Sequence, residues 1–110
     1  MGIVYLATDL ALSRLVALKT LPELGYAKLM RLRREARSMA SVSHPNLATI
    51  HGIETFNGRP VLVMEHLQGG TLAERLTAPM PVEEALRIAA EVAAGLEVFY
   101  DRGLLHRDIK

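Results

Sequence analysis

The sequence predicts an α+β fold, in which an antiparallel sheet with one helix precedes a region of helices only. Apolar, β-branched stretches occur in two pairs, and one amphipathic pattern lies between the pairs. Beyond Gly70 the spacing of apolar residues is helical throughout. Runs of strands followed by runs of helices are typical of α+β folds or of two small lobes, so this order predicts that class.

The first two strands are predicted at Ile3–Thr8 and Leu15–Thr20, joined as an antiparallel hairpin by a short polar connection. Pro22 ends the second of them. A helix is predicted over Tyr26–Ala40 because apolar side chains recur there at steps of three, four and three. They form one core-facing stripe, made of Leu29, Leu32, Ala36 and Met39.

The second pair of strands is predicted at Ala48–Glu54 and Pro60–Glu65. They flank Asn57-Gly58, the strongest short signal for a β-hairpin, because both residues tolerate the positive φ that a two-residue turn requires. A second hairpin is therefore expected after the helix.

Two helices are predicted after Gly69-Gly70. Thr71 and Glu74 have capping-box spacing, in which the hydroxyl and the carboxylate each satisfy a backbone N–H at a helix start. A long helix follows from about Val82 to Asp101, and Gly103 ends it. Acidic residues occupy its first turn, where the helix dipole favours them. Its apolar stripe consists of Ala85, Ala89, Val92, Leu96 and Phe99.

Composition limits the function classes. The 110 residues are 50% hydrophobic and 23% charged, which indicates one modest globular domain. A net charge of +1 argues against a nucleic-acid partner, and the four arginines between Arg31 and Arg37 spread around their helix without interleaved aromatics. No cysteine and no apolar segment of membrane-spanning length occur, so no membrane segment and a cytoplasmic location are expected.

Several catalytic classes are excluded by missing patterns. His44, His51 and His66 fall on a loop and two strands with no pair at metal-ligand spacing. The sequence contains no G-x-S-x-G, no H-E-x-x-H and no Walker-type P-loop. Serine hydrolases, zincins and P-loop NTPases are therefore not expected.

Three charged residues could carry chemistry, and each has a plainer interpretation when taken alone. Lys19 could be an edge-strand or solvent-facing lysine, or a lysine in a cleft that needs a carboxylate partner. Glu35 could be that partner, or an exposed glutamate neutralised by Arg31 four residues earlier. Asp108, in His-Arg-Asp, could be a loop residue, or a carboxylate that stays ionised beside cations and accepts a hydroxyl proton.

The order of these features, rather than any one of them, indicates a family. A glycine and a valine on the first strand, Val-Ala-Leu-Lys ending at Lys19, and a glutamate on the next helix occur in sequence. His-Pro-Asn, the strand "VLVMEHLQGG", a long helix and "HRDIK" follow. This series resembles the protein-kinase signature set. "VALK", "HRDIK" and the Met-Gly opening most resemble bacterial serine/threonine kinases of the eukaryotic-like type.

The resemblance implies a nucleotide site for ATP. Gly2 is similar to the last glycine of the phosphate-covering loop, and Lys19 to the lysine that pairs with Glu35 and reaches the α- and β-phosphates. The adenine pocket would be lined by Val4 and Ala17, with Met64 at its back. Glu65 and Leu67 resemble the hinge residues that bind the adenine edge through backbone C=O and N–H. Thr71 stands near the expected ribose.

The resemblance also implies catalytic residues at the end of the sequence. Asp108 would be the base that accepts the proton of the attacking hydroxyl, and Lys110 marks the serine/threonine class. Arg107 would meet a phosphate on the activation loop. The loop asparagine, five positions after Asp108, and the D-F-G aspartate do not occur in these 110 residues. The ligands of Mg²⁺ would therefore lie beyond Lys110.

The expected organisation is a partial kinase domain: an N-lobe over residues 1–64, a hinge over 65–70 and the start of the C-lobe over 71–110. The first strand and the first two glycines of the nucleotide loop are absent. We expect the chain to belong to a serine/threonine kinase that acts on protein substrates, and to be inactive alone. Two alternatives stay open: a non-catalytic, kinase-derived module that binds nucleotide or a partner, and an unrelated α+β domain in which Lys19 and Glu35 lie far apart.

Overall fold

The computed structural model describes residues 2–105 and Ile109, and it confirms the α+β class. The strands are β1 (Val4–Asp9), β2 (Arg14–Thr20), β3 (Ile50–Phe56) and β4 (Arg59–Glu65). The helices are α1 (Tyr26–Ala40), α2 (Leu72–Arg75) and α3 (Val82–Asp101). No helix among the described residues is long and apolar enough to cross a membrane.

The chain divides into two compact units. The first contains Met1–Ser43 and Ala48–His66, and the second contains His44–Leu47 and Leu67–Lys110. The first unit holds all four strands and α1, and the second holds α2 and α3.

The sheet of the first unit is antiparallel, with strand order β1-β2-β4-β3. Both predicted hairpins are present. The turn between β3 and β4 contains Asn57 at φ 50° and Gly58 at φ 75°, the left-handed geometry that the Asn-Gly pair favours in a two-residue loop. The third strand begins at Ile50, later than the predicted Ala48, and its register with β4 shifts between Ile50 and Gly52. A bulge therefore interrupts β3 at its start.

The core of the first unit is small and aliphatic. Val16 and Val61 are buried in the sheet, and Ala36 and Val42 are buried on and after α1, which packs on β3. Ala36 lies at the centre of the predicted stripe of α1, while the other three stripe residues are half-buried. The predicted face of α1 is thus the packed one.

The second unit buries only the C-terminal part of the predicted stripe of α3, where Phe99 is buried and Leu96 is half-buried. Gly95 and Phe99 are its buried residues, whereas Val92 is 45% exposed. Of the predicted stripe, Ala85 and Ala89 are also exposed. These residues instead line a groove of about 470 Å³ with side chains of α2, α3 and the segment between them, including Leu72, Leu76, Met80 and Leu96. The prediction of a packed stripe is wrong for three residues because their apolar side chains have no covering element among the described residues.

Candidate functional site

Lys19 lies near the end of β2, which is an interior strand of the sheet with β1 on one side and β4 on the other. The interpretation of Lys19 as an edge-strand lysine is therefore wrong. In the register of the sheet, Lys19 is opposite Val4 on β1 and Leu62 on β4, and its side chain is half-buried. A lysine in this setting is held by strands on both sides, so its position on the sheet is well determined.

Four of the predicted site residues share one face of the sheet. Val4 is opposite Lys19, and Ala17 is opposite Met64. Directly opposed residues of an antiparallel pair present their side chains to the same face, and so do residues two apart on one strand. Val4, Ala17, Lys19 and Met64 therefore form one surface, which carries a cation beside three apolar side chains.

Glu65, at the end of β4, is paired with Val16, so its side chain lies on the other face of the sheet from that of Met64. Its backbone N–H donates to the carbonyl of Thr49 at 2.9 Å. The adenine contact expected of Glu65 uses its C=O instead, so the observed hydrogen bond does not compete with that contact.

Gly2 lies where the chain approaches the end of β2 too closely for a side chain. A Cβ at this position would overlap the carbonyl oxygen of Thr20. The adjoining backbone is anchored on both sides: the N–H of Ile3 donates to Thr20 Oγ1 at 2.7 Å, and the N–H of Thr20 donates to the carbonyl of Ile3 at 2.8 Å. Only glycine fits position 2, as is typical of a loop whose backbone approaches a ligand or another strand closely.

Glu35 is half-buried on α1, and its Oε1 lies 3.2 Å from Nε of Arg31. The ion pair proposed as the plainer interpretation is therefore present. A carboxylate has two oxygens and about four acceptor sites, so a contact to Oε1 does not exclude a second cation. Pairing of Glu35 with Lys19 stays a prediction.

Two predicted site residues belong to the second unit. Leu67 is 64% exposed. Thr71 forms the predicted capping box: its N–H donates to Glu74 Oε2 at 2.6 Å, and the N–H of Glu74 donates to Thr71 Oγ1 at 3.2 Å. The hydroxyl of Thr71 also contacts Oε2 at 3.0 Å. A ribose contact by Thr71 would therefore use the remaining acceptor capacity of its oxygen.

The capping box sets the ionisation of Glu74. The hydrogen bond from the backbone N–H of Thr71, followed by that from its hydroxyl, holds the pKa of the Glu74 carboxyl below its ordinary range. Asp9, at the end of β1, behaves similarly. The backbone N–H of Leu12 is the largest cause of its lowered pKa, burial is the next largest effect and opposes it, and the Arg14 side chain lowers the pKa further.

Asn46 and Gly95 have structural roles that sequence reasoning did not assign. Nδ2 of Asn46 donates to the backbone carbonyl of Glu91 at 2.9 Å, and the N–H of Asn46 donates to Nδ1 of His44 at 3.1 Å. A Cβ on Gly95 would lie 3.1 Å from the carbonyl oxygen of Asn46 and from a methyl carbon of Leu47. The His-Pro-Asn segment therefore packs on α3 at Gly95, where the absence of a side chain allows the two backbones to approach closely. The sequence signal that could have indicated this contact is Gly95 itself, because a glycine inside a helical pattern often marks a close packing contact.

A separate cavity of about 410 Å³ lies on the other face of the sheet, among Val16, Leu18, Val61 and Val63. None of the predicted site residues lines it. This cavity and the predicted nucleotide surface are thus two different regions of the same sheet.

The predicted catalytic residues Asp108 and Lys110 lie outside the described residues, as do His106 and Arg107. Among residues 2–105 and Ile109, no group of three or more His, Cys, Asp or Glu side chains could hold a metal ion. The described part of the chain therefore offers a candidate surface for a nucleotide but no metal centre.

Comparison with known proteins identifies the family. The family model for the protein kinase domain matches residues 1–110, and the chain belongs to this family. It is 40% identical to the serine/threonine-protein kinase PksC of Streptomyces coelicolor and 38% identical to the serine/threonine-protein kinase PrkC of Bacillus subtilis. Both alignments cover all of this chain, but they cover 22% and 18% of those proteins respectively.

The fold comparison agrees. A crystal structure of the Mycobacterium tuberculosis PknI kinase domain matches with a TM-score of 0.82 and 32% identity, over 100% of this chain and 47% of that chain. The four-stranded sheet with one helix, followed by helices, is thus a partial protein-kinase fold. The chain corresponds to the N-terminal part of the kinase domain, and the family acts with ATP and a divalent metal ion.

Proposed function

We propose that the protein containing this chain transfers the γ-phosphoryl group of ATP to serine or threonine hydroxyls of proteins. The observation that carries the proposal is the register of the sheet, which brings Val4, Ala17, Lys19 and Met64 to one face. An apolar surface accepts a planar base, and the adjacent ammonium supports the negatively charged phosphates. The serine/threonine kinases among the chain's relatives support this substrate class.

Each residue has a proposed task. Lys19 holds the α- and β-phosphates and is oriented by Glu35, and the backbone at Gly2 lies over the phosphates. The apolar residues Val4 and Ala17 enclose the adenine. Because phosphoryl transfer requires positioning and charge stabilisation more than covalent chemistry, rigid placement of one cation is a substantial contribution.

The remaining contacts complete the nucleotide site. Met64 closes the back of the adenine pocket, Glu65 and Leu67 bind the adenine edge through backbone groups, and Thr71 faces the ribose. These contacts correspond to an N-lobe over residues 1–64, a hinge over 65–70 and a C-lobe that begins at residue 71.

Asp108 is the proposed base, and Lys110 is a further proposed catalytic residue, of the type that marks the serine/threonine class. Mg²⁺ is the proposed metal, and its ligands would be the loop asparagine and the D-F-G aspartate, which the 110 residues do not include. We therefore propose that these 110 residues alone transfer little or no phosphate. Because ATP is the donor, we place this domain in the cytoplasm.

The test is transfer of labelled phosphate from ATP to a generic serine/threonine substrate by the protein at its natural length. We expect Asp108→Asn to reduce kcat by about 10²–10⁴-fold, the usual contribution of a general base. Lys19→Met should reduce kcat/KM, whereas Arg87→Gln, which removes an exposed arginine of α3, should leave the rate unchanged.

Wild-type rates in the Asp108→Asn variant would contradict the proposed base. Binding of nucleotide without any transfer, in the protein at its natural length, would favour the non-catalytic module instead. For the 110 residues alone, turnover that Asp108→Asn abolishes would show that the proposed inactivity is wrong.

A further inference from the structure

A side-chain hydroxyl holds the backbone that leads into β1. Ile3 is opposite Thr20, one step beyond the register pair that contains Lys19. Opposed residues at such a position of an antiparallel ladder exchange two backbone hydrogen bonds. The N–H of Thr20 does donate to the carbonyl of Ile3, at 2.8 Å. The N–H of Ile3, however, donates to Thr20 Oγ1, at 2.7 Å, in place of the backbone carbonyl.

Thr20 is itself well fixed at the end of β2. It is opposite Val61 on β4, which is 2% exposed, and the N–H of the next residue, Leu21, donates to the carbonyl of Pro60 at 3.2 Å. Because Thr20 follows Lys19 directly, its side chain lies on the other face of the sheet. The hydroxyl therefore binds the backbone at the start of β1 and leaves the nucleotide face free.

This hydrogen bond restricts a peptide unit next to a glycine. A Cβ on Gly2 would overlap the carbonyl oxygen of Thr20 and lie 3.2 Å from its Oγ1, so the close approach requires glycine. Glycine also has the widest backbone freedom, so the peptide unit between Gly2 and Ile3 would otherwise turn easily. Since a peptide unit is planar, the bond to the Ile3 N–H also sets the direction of the Gly2 carbonyl.

The sheet alone does not require a threonine at this half-buried position. Valine has the same branched shape, and both residues are favoured in strands. Threonine differs from valine by its hydroxyl, and Thr20 uses that hydroxyl in the bond to the Ile3 N–H. The hydrogen bond is therefore the feature that distinguishes Thr20 from an ordinary strand residue.

We propose that Thr20 is a positioning residue for the phosphates of ATP, because its hydroxyl fixes the backbone at Gly2 and Ile3 relative to Lys19. This inference rests on the proposed function, in which that backbone lies over the phosphates and Lys19 binds them. Both groups act on the same phosphates, so a fixed spacing between them strengthens binding of the phosphates and not of the base.

The probes are ATP and adenosine, whose dissociation constants are measured by calorimetry on the protein at its natural length, with Mg²⁺ present. Both ligands carry the same base and ribose, so the ratio of their constants isolates the effect of the phosphates. Thr20→Val should weaken ATP binding by about three- to tenfold, the contribution of one hydrogen bond, and leave adenosine binding unchanged. Thr20→Ser keeps the acceptor oxygen and should bind ATP as the wild type does.

Thr8→Val is the matched control, because it makes the same chemical change near the other end of the hairpin, opposite Leu15. It should change neither constant. An equal loss of ATP and adenosine affinity in Thr20→Val would show that the hydroxyl supports the sheet in general, and the inference would fail. Unchanged ATP affinity in Thr20→Val, or the same loss in Thr20→Ser, would also overturn it.

Lys19→Met separates failure of this inference from failure of the proposed function. A wild-type preference for ATP over adenosine that Lys19→Met removes and Thr20→Val retains would contradict the role of Thr20 alone. A wild type that binds ATP no more tightly than adenosine would contradict the phosphate site itself, and the role of Thr20 with it.

Amide hydrogen exchange at Ile3 tests the hydrogen bond directly. The Ile3 N–H should exchange faster in Thr20→Val than in the wild type, and Thr20→Ser should restore its protection. Equal exchange at Ile3 in the wild type and in Thr20→Val would mean that the hydroxyl does not hold this backbone, and the proposal would fail.

Discussion

Val4 and Lys19 are directly opposed across β1 and β2, on the face of the sheet that also carries Ala17 and Met64. Opposed side chains on neighbouring antiparallel strands have Cβ atoms about 4.5–5.5 Å apart. A substitution at position 4 therefore changes the surroundings of Lys19 while Lys19 itself is kept. Because Val4 is 57% exposed, it can be replaced with little loss of packing.

This relationship predicts the effect of Val4→Glu. A carboxylate opposite Lys19 would attract its ammonium and compete with the phosphates of ATP. We expect ATP affinity to fall about tenfold, while the free energy of unfolding changes by less than about 1 kcal/mol, the range for an opposite-charge cross-strand pair. The measurement is ATP titration by calorimetry, with Val4→Gln as the neutral control of equal size. Equal affinity of the two variants would argue against Lys19 as the phosphate-binding cation.

Gly2→Ala should destabilise the start of the sheet, because the added methyl group would overlap the carbonyl oxygen of Thr20. Overpacking of this kind costs about 1–3 kcal/mol in free energy of unfolding. Urea unfolding measures the change. Gly25→Ala is the matched control, since a Cβ there meets no heavy atom within 4 Å. Similar stabilities for both variants would show that the backbone at Gly2 moves away from Thr20 without cost.

Gly95 affects the free energy of unfolding in two opposite ways, because glycine lowers the helix propensity of α3 but allows close packing against Asn46. Substitution by alanine and by valine should separate the two effects. Replacement by alanine gains about 1 kcal/mol of helix propensity, but it brings a methyl group to 3.1 Å from Asn46 O, so we expect a change near zero. Gly95→Val should cost about 1–3 kcal/mol through overpacking. Thermal and urea unfolding test this, with Ala90→Val on the exposed side of α3 as the control. A cost no larger than that of the control would contradict the close contact.

Asn46→Ala removes the hydrogen bond from Nδ2 to the carbonyl of Glu91. We expect a loss of about 1 kcal/mol, the usual net contribution of such a bond. Asn46→Asp should lower the free energy of unfolding more than Asn46→Ala does, because a carboxylate oxygen would then face the carbonyl oxygen of Glu91. Amide hydrogen exchange in α3 reports the local effect. Identical exchange in the wild type and in Asn46→Ala would mean that this bond does not hold the segment on the helix.

Acid should weaken the start of α2 through Glu74. Hydrogen bonds from Thr71 lower the pKa of the Glu74 carboxyl in the folded state, so the ionised form stabilises the fold above the ordinary glutamate pKa of about 4.3. This contribution is lost as the pH falls through the lower, folded-state pKa. Glu74→Gln should remove that part of the pH dependence between about pH 4.3 and the folded-state pKa. NMR titration of the Glu74 carboxyl checks the direction, and a pKa at or above the ordinary value would contradict it.

Local signals predicted most elements of the fold. The bounds of α1, Tyr26–Ala40, and the turn at Asn57-Gly58 follow from periodicity and turn chemistry, which depend on neighbouring residues only. The shifted start of β3 could not be predicted, because the bulge between Ile50 and Gly52 exists only in relation to the partner strand β4. Strand pairing is a tertiary property, and a single strand's pattern does not contain it.

The site shows the same division. Side chains alternate along a strand, so the sequence alone predicts that Ala17 and Lys19 share one face of the sheet. That Val4 lies opposite Lys19 depends on the register between β1 and β2, which the sequence does not show. The exposed side of α3 was wrongly predicted as packed because a helical wheel shows that Ala85, Ala89 and Val92 share a side, not what that side meets. The burial of Gly95 similarly depends on a segment far away in sequence, at Asn46 and Leu47.

The path of the chain between the two units limits how the protein can be recombined. Residues His44–Leu47 belong to the helical unit although they lie between α1 and β3 of the sheet unit, so the chain crosses the boundary three times. A hybrid kinase that takes its sheet from one relative and its helices from another cannot be made with a single junction. This short segment must be inherited with the helix donor, since Asn46 and Leu47 match the surface of α3 at Glu91 and Gly95 rather than any strand.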